Sequence, residues 1–142
     1  MLSPDDLSAA VLTKLKAYAP LVAALTSADR VKESQWHGIE FDYPAVRVQR
    51  PTISPYGNGN CTGRQVRAQV TVTAFAKKDS SKTAQELQGL IQDALEGQIV
   101  NVAGLRTTSL RNQLTSPAAP TPNDPDVWSG ATTWRTIATE VS

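Results

Sequence analysis

Little in this chain is equipped for covalent or metal chemistry. Its 142 residues hold one cysteine, one histidine and one methionine. The single cysteine, Cys61, excludes an intrachain disulfide and any all-cysteine metal cluster, and it suits a reducing compartment. His37 alone leaves no His/Cys spacing for a metal site. An excess of one charge is missing too. Fourteen Lys and Arg against 13 Asp and Glu give a net +1, which offers no global attraction for nucleic acid or an anionic membrane. No stretch approaches the roughly 18 apolar residues of a membrane helix. The opening Met1-Leu2-Ser3-Pro4-Asp5-Asp6 is acidic where a secretory signal is basic, so cytoplasmic synthesis and use are expected. Asn60-Cys61-Thr62 then matches a glycosylation acceptor by chance.

What is present is architecture. With 40% hydrophobic and 19% charged residues the composition is globular, and the length predicts one domain over 1–142. A chain of this size buries roughly 68–70% of its unfolded surface, so a core is attainable without staples. Val66, Ala68, Val70, Val72 and Ala74 alternate with Gln65, Arg67, Gln69, Thr71 and Thr73, a period of two that predicts a long strand. Immediately after it, Ala84, Leu87, Leu90, Ile91, Ala94 and Leu95 recur at helical spacing on one face, with Gly97 placed as the stop.

The flanks follow by the same logic. Ser3, Pro4, Asp5 and Asp6 start a helix by capping, by a pre-set φ and by complementing the helix dipole. Leu7, Val11, Leu15 and Tyr18 form its apolar stripe, and Ala19-Pro20 ends or kinks it before a short helical piece to Leu25. Arg30-Val31-Lys32 reads as a short edge strand, Trp36–Tyr43 is ambiguous, and Pro44–Gln49 alternates as a strand. Pro51–Gly63, with two prolines, three glycines and two asparagines, reads as a long loop between strands. Leu105–Leu114 and Val127–Thr139 read as the last two strands. The four prolines of Thr115–Asp126 predict an extended excursion between them, outside any sheet. The expected fold is α+β: an antiparallel-rich sheet of about four strands, with an N-terminal helix and a central amphipathic helix on one face.

No catalytic constellation emerges. A Ser-His-Asp site would need His37, yet no G-x-S-x-G elbow is present. Cys61 with His37 is the one nucleophile-base pair available, and both sit in irregular segments where a solvated histidine and an incidental thiol are the plainer readings. Asp5/Asp6 belongs to the helix dipole and Asp124/Asp126 to a hydrated proline loop. Glu40/Asp42 would work as an acid-base pair only in an enclosed pocket. Tyr56-Gly57-Asn58-Gly59-Asn60 lacks the Gly-Lys-Ser/Thr ending of a phosphate loop.

Arg47, Arg50, Arg64 and Arg67 would share a sheet face or its rim if their strands pair. Three readings stay open: contact with DNA phosphates, ion pairs across a subunit interface, where arginine is enriched, or ordinary charges on a solvated face. Trp128 and Trp134, six residues apart, share a face of a regular strand. Trp134 is expected in the core, and Trp128 in the core or an interface strip.

The ordered set resembles the small tail-completion or tail-terminator proteins of long-tailed bacteriophages. It comprises the Leu7–Leu25 helical pair, Asp29-Arg30-Val31, Asp42-Tyr43-Pro44-Ala45-Val46-Arg47-Val48, the strand Arg67–Phe75 running into Ser81–Glu96, the strand Leu105–Leu114 and the closing Val127-Trp128-Ser129-Gly130 with Trp134-Arg135. The resemblance implies an α+β subunit that assembles with itself into a ring, a hexamer. The ring caps the head-proximal end of the tail tube, ends its elongation and presents a head-joining surface. Implied partners are the tail tube protein, head-tail connector or neck proteins, and genomic DNA passing through the lumen without sequence-specific binding. No cofactor, no catalysis and no membrane are implied. Its location is the virion tail or neck, and the host cytoplasm during assembly. Alternatives are a connector or neck protein, a nucleic-acid-binding module with strongly salt-dependent affinity, and a small enzyme using Glu40/Asp42 or Cys61/His37. Local chemistry nominates interface residues: Arg47, Arg50, Arg64 and Arg67; Tyr56, Asn58 and Asn60 in the first loop; Pro120, Pro122, Asp124 and Asp126 in the second; and Trp128 beside it.

Overall fold

Leu7, Val11 and Leu15, one helical turn apart, are fully buried and fix the orientation of α1 (Pro4–Ala17). Asp5 and Asp6 in its first turn and Lys14 and Lys16 in its last complement both ends of the dipole. A computed structural model describes residues 4–27, 30–33, 44–55, 65–77, 81–102, 105–120 and 127–140. Tyr18 is extended (φ −85°, ψ 101°) because Pro20 begins the next turn, and α2 (Ala19–Leu25) departs at 82° to α1. That bend lets Leu21 and Leu25 reach the same core as Leu7. Among the described residues, no single helix is long and apolar enough to cross a membrane.

Thr26 ends α2 in the left-handed region (φ 67°), where its N–H bonds Ala23 O at 3.3 Å. A β-branched residue is strained there. Thr26→Asn, which tolerates that conformation, is expected to raise stability by about 0.5–1 kcal/mol. The check is a higher urea midpoint at unchanged slope.

The sheet contains β1 (Val31–Glu33), β2 (Ala45–Val48), β3 (Thr52–Pro55), β4 (Gln65–Lys77), β5 (Leu105–Thr107), β6 (Arg111–Thr115), β7 (Ala119–Pro120) and β8 (Val127–Glu140), with α3 (Ser81–Leu95) between β4 and β5. At its centre β4 and β8 pair antiparallel along their length, from Gln65↔Thr139 to Lys77↔Val127. The order is β1-β2-β4-β8-β5, and only β1 with β2 is parallel.

The expected α+β class and the antiparallel bias stand, but the sheet has eight strands rather than about four. The reason is that its two flanks are broken into short segments. Along one side of β4, β2 pairs with Val72–Phe75 and β3 with Val66–Gln69, separated at Pro51, which has no N–H for a ladder. Residues read as pure loop after Pro51 therefore begin with a strand. Along β8 run β5, β6 and β7 in turn. The continuous strand expected over 105–114 is interrupted because Leu110 turns aside. Its N–H donates to Gln98 O at 2.8 Å, and its carbonyl accepts from Gly97 N–H at 3.0 Å. Gly97 sits at φ +74°, which closes the end of α3. The excursion expected over 115–126 is likewise corrected at its start: Thr115 ends β6, and Ala119-Pro120 pair with Ser129-Trp128. Pro120 is tolerated because β7 is a flanking strand. Trp36–Tyr43 lies outside the described residues.

Alternate residues of β4 and β8 carry the core. Val70, Val72, Ala74, Trp134 and Ala138 join Val46 and Val48 of β2 beneath Leu7, Val11, Leu15, Leu87, Ile91 and Leu95 of the helices. The core strip read for α3 is buried as expected at Ala84, Leu87, Ile91, Ala94 and Leu95.

Candidate assembly interface

Because Val70, Val72 and Trp134 lie under the helices, their chain neighbours occupy the opposite, open face of the sheet. The rungs there can be read across the register. Arg47 pairs with Thr73, and Thr73 with Ala131. Thr71 faces Thr133, with hydroxyls 3.3 Å apart. The next rung runs Thr52, Gln69, Arg135, Arg111. Then come Ser54, Arg67 and Ile137, and finally Gln65, Thr139 and Arg106. Among the described strand positions on this face there is no Asp or Glu.

The two ends of the face differ. At one end Thr73 and Arg47 are buried; Arg47 is 6% exposed, and its Nη1 donates to Arg30 O and Val46 O, each at 3.0 Å. At the other end Gln69, Arg106 and Arg111 are exposed and Arg135 half-buried. Arg111 and Arg135 are direct cross-strand partners, an arrangement of like charges that destabilises an isolated sheet.

Beside them the β6 ladder has an extra residue between Asn112 and Leu114. Asn112 faces Trp134 on the helix side, and its N–H donates to Oε2 of Glu96, the residue just past α3, at 3.3 Å. In unbroken register Leu114 would follow onto that same side. The irregularity places it opposite Thr133 on the open face, 61% exposed. Thr115 takes the helix side instead. Its Oγ1 accepts from Gln92 Nε2 at 3.1 Å and donates to Asn112 Oδ1 at 3.3 Å.

Of the nominated residues, Arg47 and Arg67 do share the open face, but they stand six residues apart along β4, about 20 Å. Arg50 is exposed between β2 and β3, Pro120 is exposed in β7, and Trp128 is half-buried opposite Ala76. Tyr56, Asn58, Asn60, Arg64, Pro122, Asp124 and Asp126 lie outside the described residues. Arg106, Arg111, Arg135 and Leu114 escaped sequence reasoning. Arg135 was accessible to it: a core Trp134 dictates that its neighbour faces the other way. Arg111 and Leu114 were not, because the irregular register of β6 leaves no periodic trace.

Among the described residues no group of three or more His, Cys, Asp or Glu is placed to hold a metal ion. The pairs Cys61/His37 and Glu40/Asp42 lie outside the described residues. The double variant Cys61→Ser/His37→Gln is expected to retain full tail-completing activity, measured as infectious or transducing particle yield. A loss above about tenfold, which general acid-base or nucleophilic roles produce, would restore the enzyme reading.

A model of the family described as Tail completion protein gp17 matches residues 9–138, from α1 to the end of β8. The chain belongs to this family. Its members are structural proteins of phage tails. Several solved structures share the fold, two of them as follows. A chain in the structure titled "Virion of native gene transfer agent (GTA) particle" superimposes with a TM-score of 0.80 at 19% identity, covering 94% of each chain. A second superimposes with a TM-score of 0.57 at 14% identity, covering 100% of this chain and 99% of the other. Comparison with curated proteins gives no match.

Proposed function

We propose that this tail-completion protein assembles as a ring, a hexamer, on the head-proximal end of the tail tube. There it stops elongation and presents the surface on which the head docks. The observation that carries the reading is the family match over residues 9–138, which takes in almost every described element. Supporting it, the open sheet face carries no carboxylate among its described strand positions and is partly apolar, as a subunit made to be covered would be. The partners are further copies of the chain, the tube protein and the connector or neck proteins, with DNA passing through the lumen.

The test is the mass of the purified full chain by light scattering over a concentration series, with and without assembled tubes, followed by imaging of tube ends. A ring-sized species, free or on the ends, is the expected result. A monomer that ignores tubes and leaves their length unregulated would overturn it and favour a neck role.

The connection at 121–126, with Pro122 and Pro125, is assigned to ring-to-tube or ring-to-neck contacts, since proline-containing segments lose less entropy on docking. Shortening 121–126 while keeping β7 is expected to leave ring mass unchanged and to reduce head-joined tails by about tenfold or more, on the order of a few interface residues. Normal joining would remove that segment from the interface.

A further inference from the structure

The open sheet face has a counterpart on the other side of the subunit. Helix α3 turns Leu87, Ile91 and Leu95 into the core, so its outer stripe carries Lys82, Glu86, Gly89 and Asp93, spaced four, three and four residues apart, with Glu96 following just past its end. The three carboxylates are exposed. Gly89 lies mid-helix, where glycine weakens a helix relative to alanine. A Cβ added there would meet no atom within 4 Å, so packing inside the subunit does not require the glycine. What it leaves is a shallow acidic notch.

Across the molecule, Leu114 projects from the sheet beside Arg111 and Arg135, on a face whose described strand positions carry no carboxylate. The geometry points to a head-to-tail contact between copies: the Arg106/Arg111/Arg135 end of one sheet, bordered by Leu114, docks on the Glu86–Gly89–Asp93 stripe of the next subunit's α3. Charge complementarity selects a second copy as occupant. The two faces carry opposite signs, and they lie on opposite sides of a two-layer subunit. Such a heterologous contact generates a ring when its rotation closes. The like-charged Arg111–Arg135 pair and the exposed leucine, both unfavourable in an isolated subunit, become favourable in this contact. The inference rests on the ring reading and adds to it which faces meet.

The experiment measures self-association of the full chain, alone and at tube ends, for the wild type and three variants. Gly89→Gln fills space that is empty in the free subunit, so it should leave the melting temperature unchanged or higher while weakening assembly. Arg111→Glu/Arg135→Glu and Glu86→Arg/Asp93→Arg should each weaken it by at least about tenfold, as like-charge juxtaposition does. Mixing the two charge variants should restore assembly, because each then offers the other a complementary face. A wild type that never assembles overturns the ring reading itself. Assembly of the wild type with all three variants assembling normally overturns the inference alone. Assembly lost in Arg111→Glu/Arg135→Glu but intact in both α3 variants also overturns it; loss of salt-dependent DNA binding in that variant would then name DNA as the occupant of the sheet face.

Discussion

Trp134→Ala is expected to lower the stability of the subunit by roughly 3–5 kcal/mol, the range for deleting a large buried aromatic. Among the described residues Trp134 is the largest fully buried side chain, 0% exposed, and it stands in the middle of β8 with Val70 on one side and Asn112 on the other. Its ring belongs to the cluster that joins β4 and β8 to Leu87 and Ile91 of α3, so its loss leaves a cavity at the junction of sheet and helix. Its Nε1 donates to Thr132 Oγ1 at 2.9 Å, and Thr132 Oγ1 in turn donates to Val72 O at 3.4 Å. The hydrogen bond contributes about 1 kcal/mol of the total. Trp134→Phe, which keeps most of the apolar volume and gives up only the donor and one ring, should therefore cost clearly less than Trp134→Ala. Against a total of about 5–15 kcal/mol for a domain, the alanine variant loses about a fifth of its stability or more. Urea denaturation followed by far-ultraviolet circular dichroism checks this without relying on the removed fluorophore. A loss below about 1 kcal/mol would contradict the placement of Trp134 at the centre of the core.

The features that could be read from sequence are those whose signal lies within one segment. The alternation of Val70, Val72 and Ala74 and the helical repeat of Leu87, Ile91 and Leu95 are imposed by burial on one side, and both appear where expected. Pro20 and Gly97 mark their breaks because backbone geometry is decided locally. The flanks of the sheet were harder. β3 and β7 contain Pro55 and Pro120, residues that argue against a strand, and each is retained because a long, regular neighbour supplies the pairing. The break at Leu110 depends on Gln98, a partner twelve residues away with no compositional mark.

The interface divides the same way. Arg47, expected on a sheet face or its rim if the strands paired, does lie on the open face, yet its guanidinium is drawn inward by the carbonyls of Val46 and of Arg30, the latter a long-range contact that strand periodicity does not report. Leu114 shows the converse. Counted on from Asn112 in a regular strand it falls on the core side, and only the irregular register between Asn112 and Leu114 turns it outward. Periodicity assigns faces correctly until a single extra residue exchanges them, and here that exchange falls at the surface argued to contact a neighbour.

Gly130→Ala should destabilise the protein, although alanine ordinarily strengthens a strand relative to glycine. Gly130 lies on the helix side of β8 opposite Ala74, and the amide of Gln88 from α3 rests where a Cβ would be, overlapping all three of its terminal atoms. Gln88 is itself buried and is held there by donating Nε2–H to Ser116 O at 2.6 Å, while Ser116 N–H donates to Ala131 O at 2.8 Å. Gly130 thus permits a tie between α3, the stretch joining β6 to β7, and β8. An added methyl group must either push α3 away or expel the amide and leave Ser116 O without it. Overpacking of this kind costs about 1–3 kcal/mol, and the lost hydrogen bond about 1 kcal/mol more. The account makes a sharper demand on the pair. Gln88→Ala alone should also destabilise, but in the Gln88→Ala/Gly130→Ala protein the two methyl groups no longer compete with an amide. The double variant should then be more stable than the sum of the single losses by about 1–2 kcal/mol, as contacting residues in a double-mutant cycle show. Strict additivity would mean that Gly130 acts through the backbone of β8 alone, and that the space taken by Gln88 is incidental to the choice of glycine.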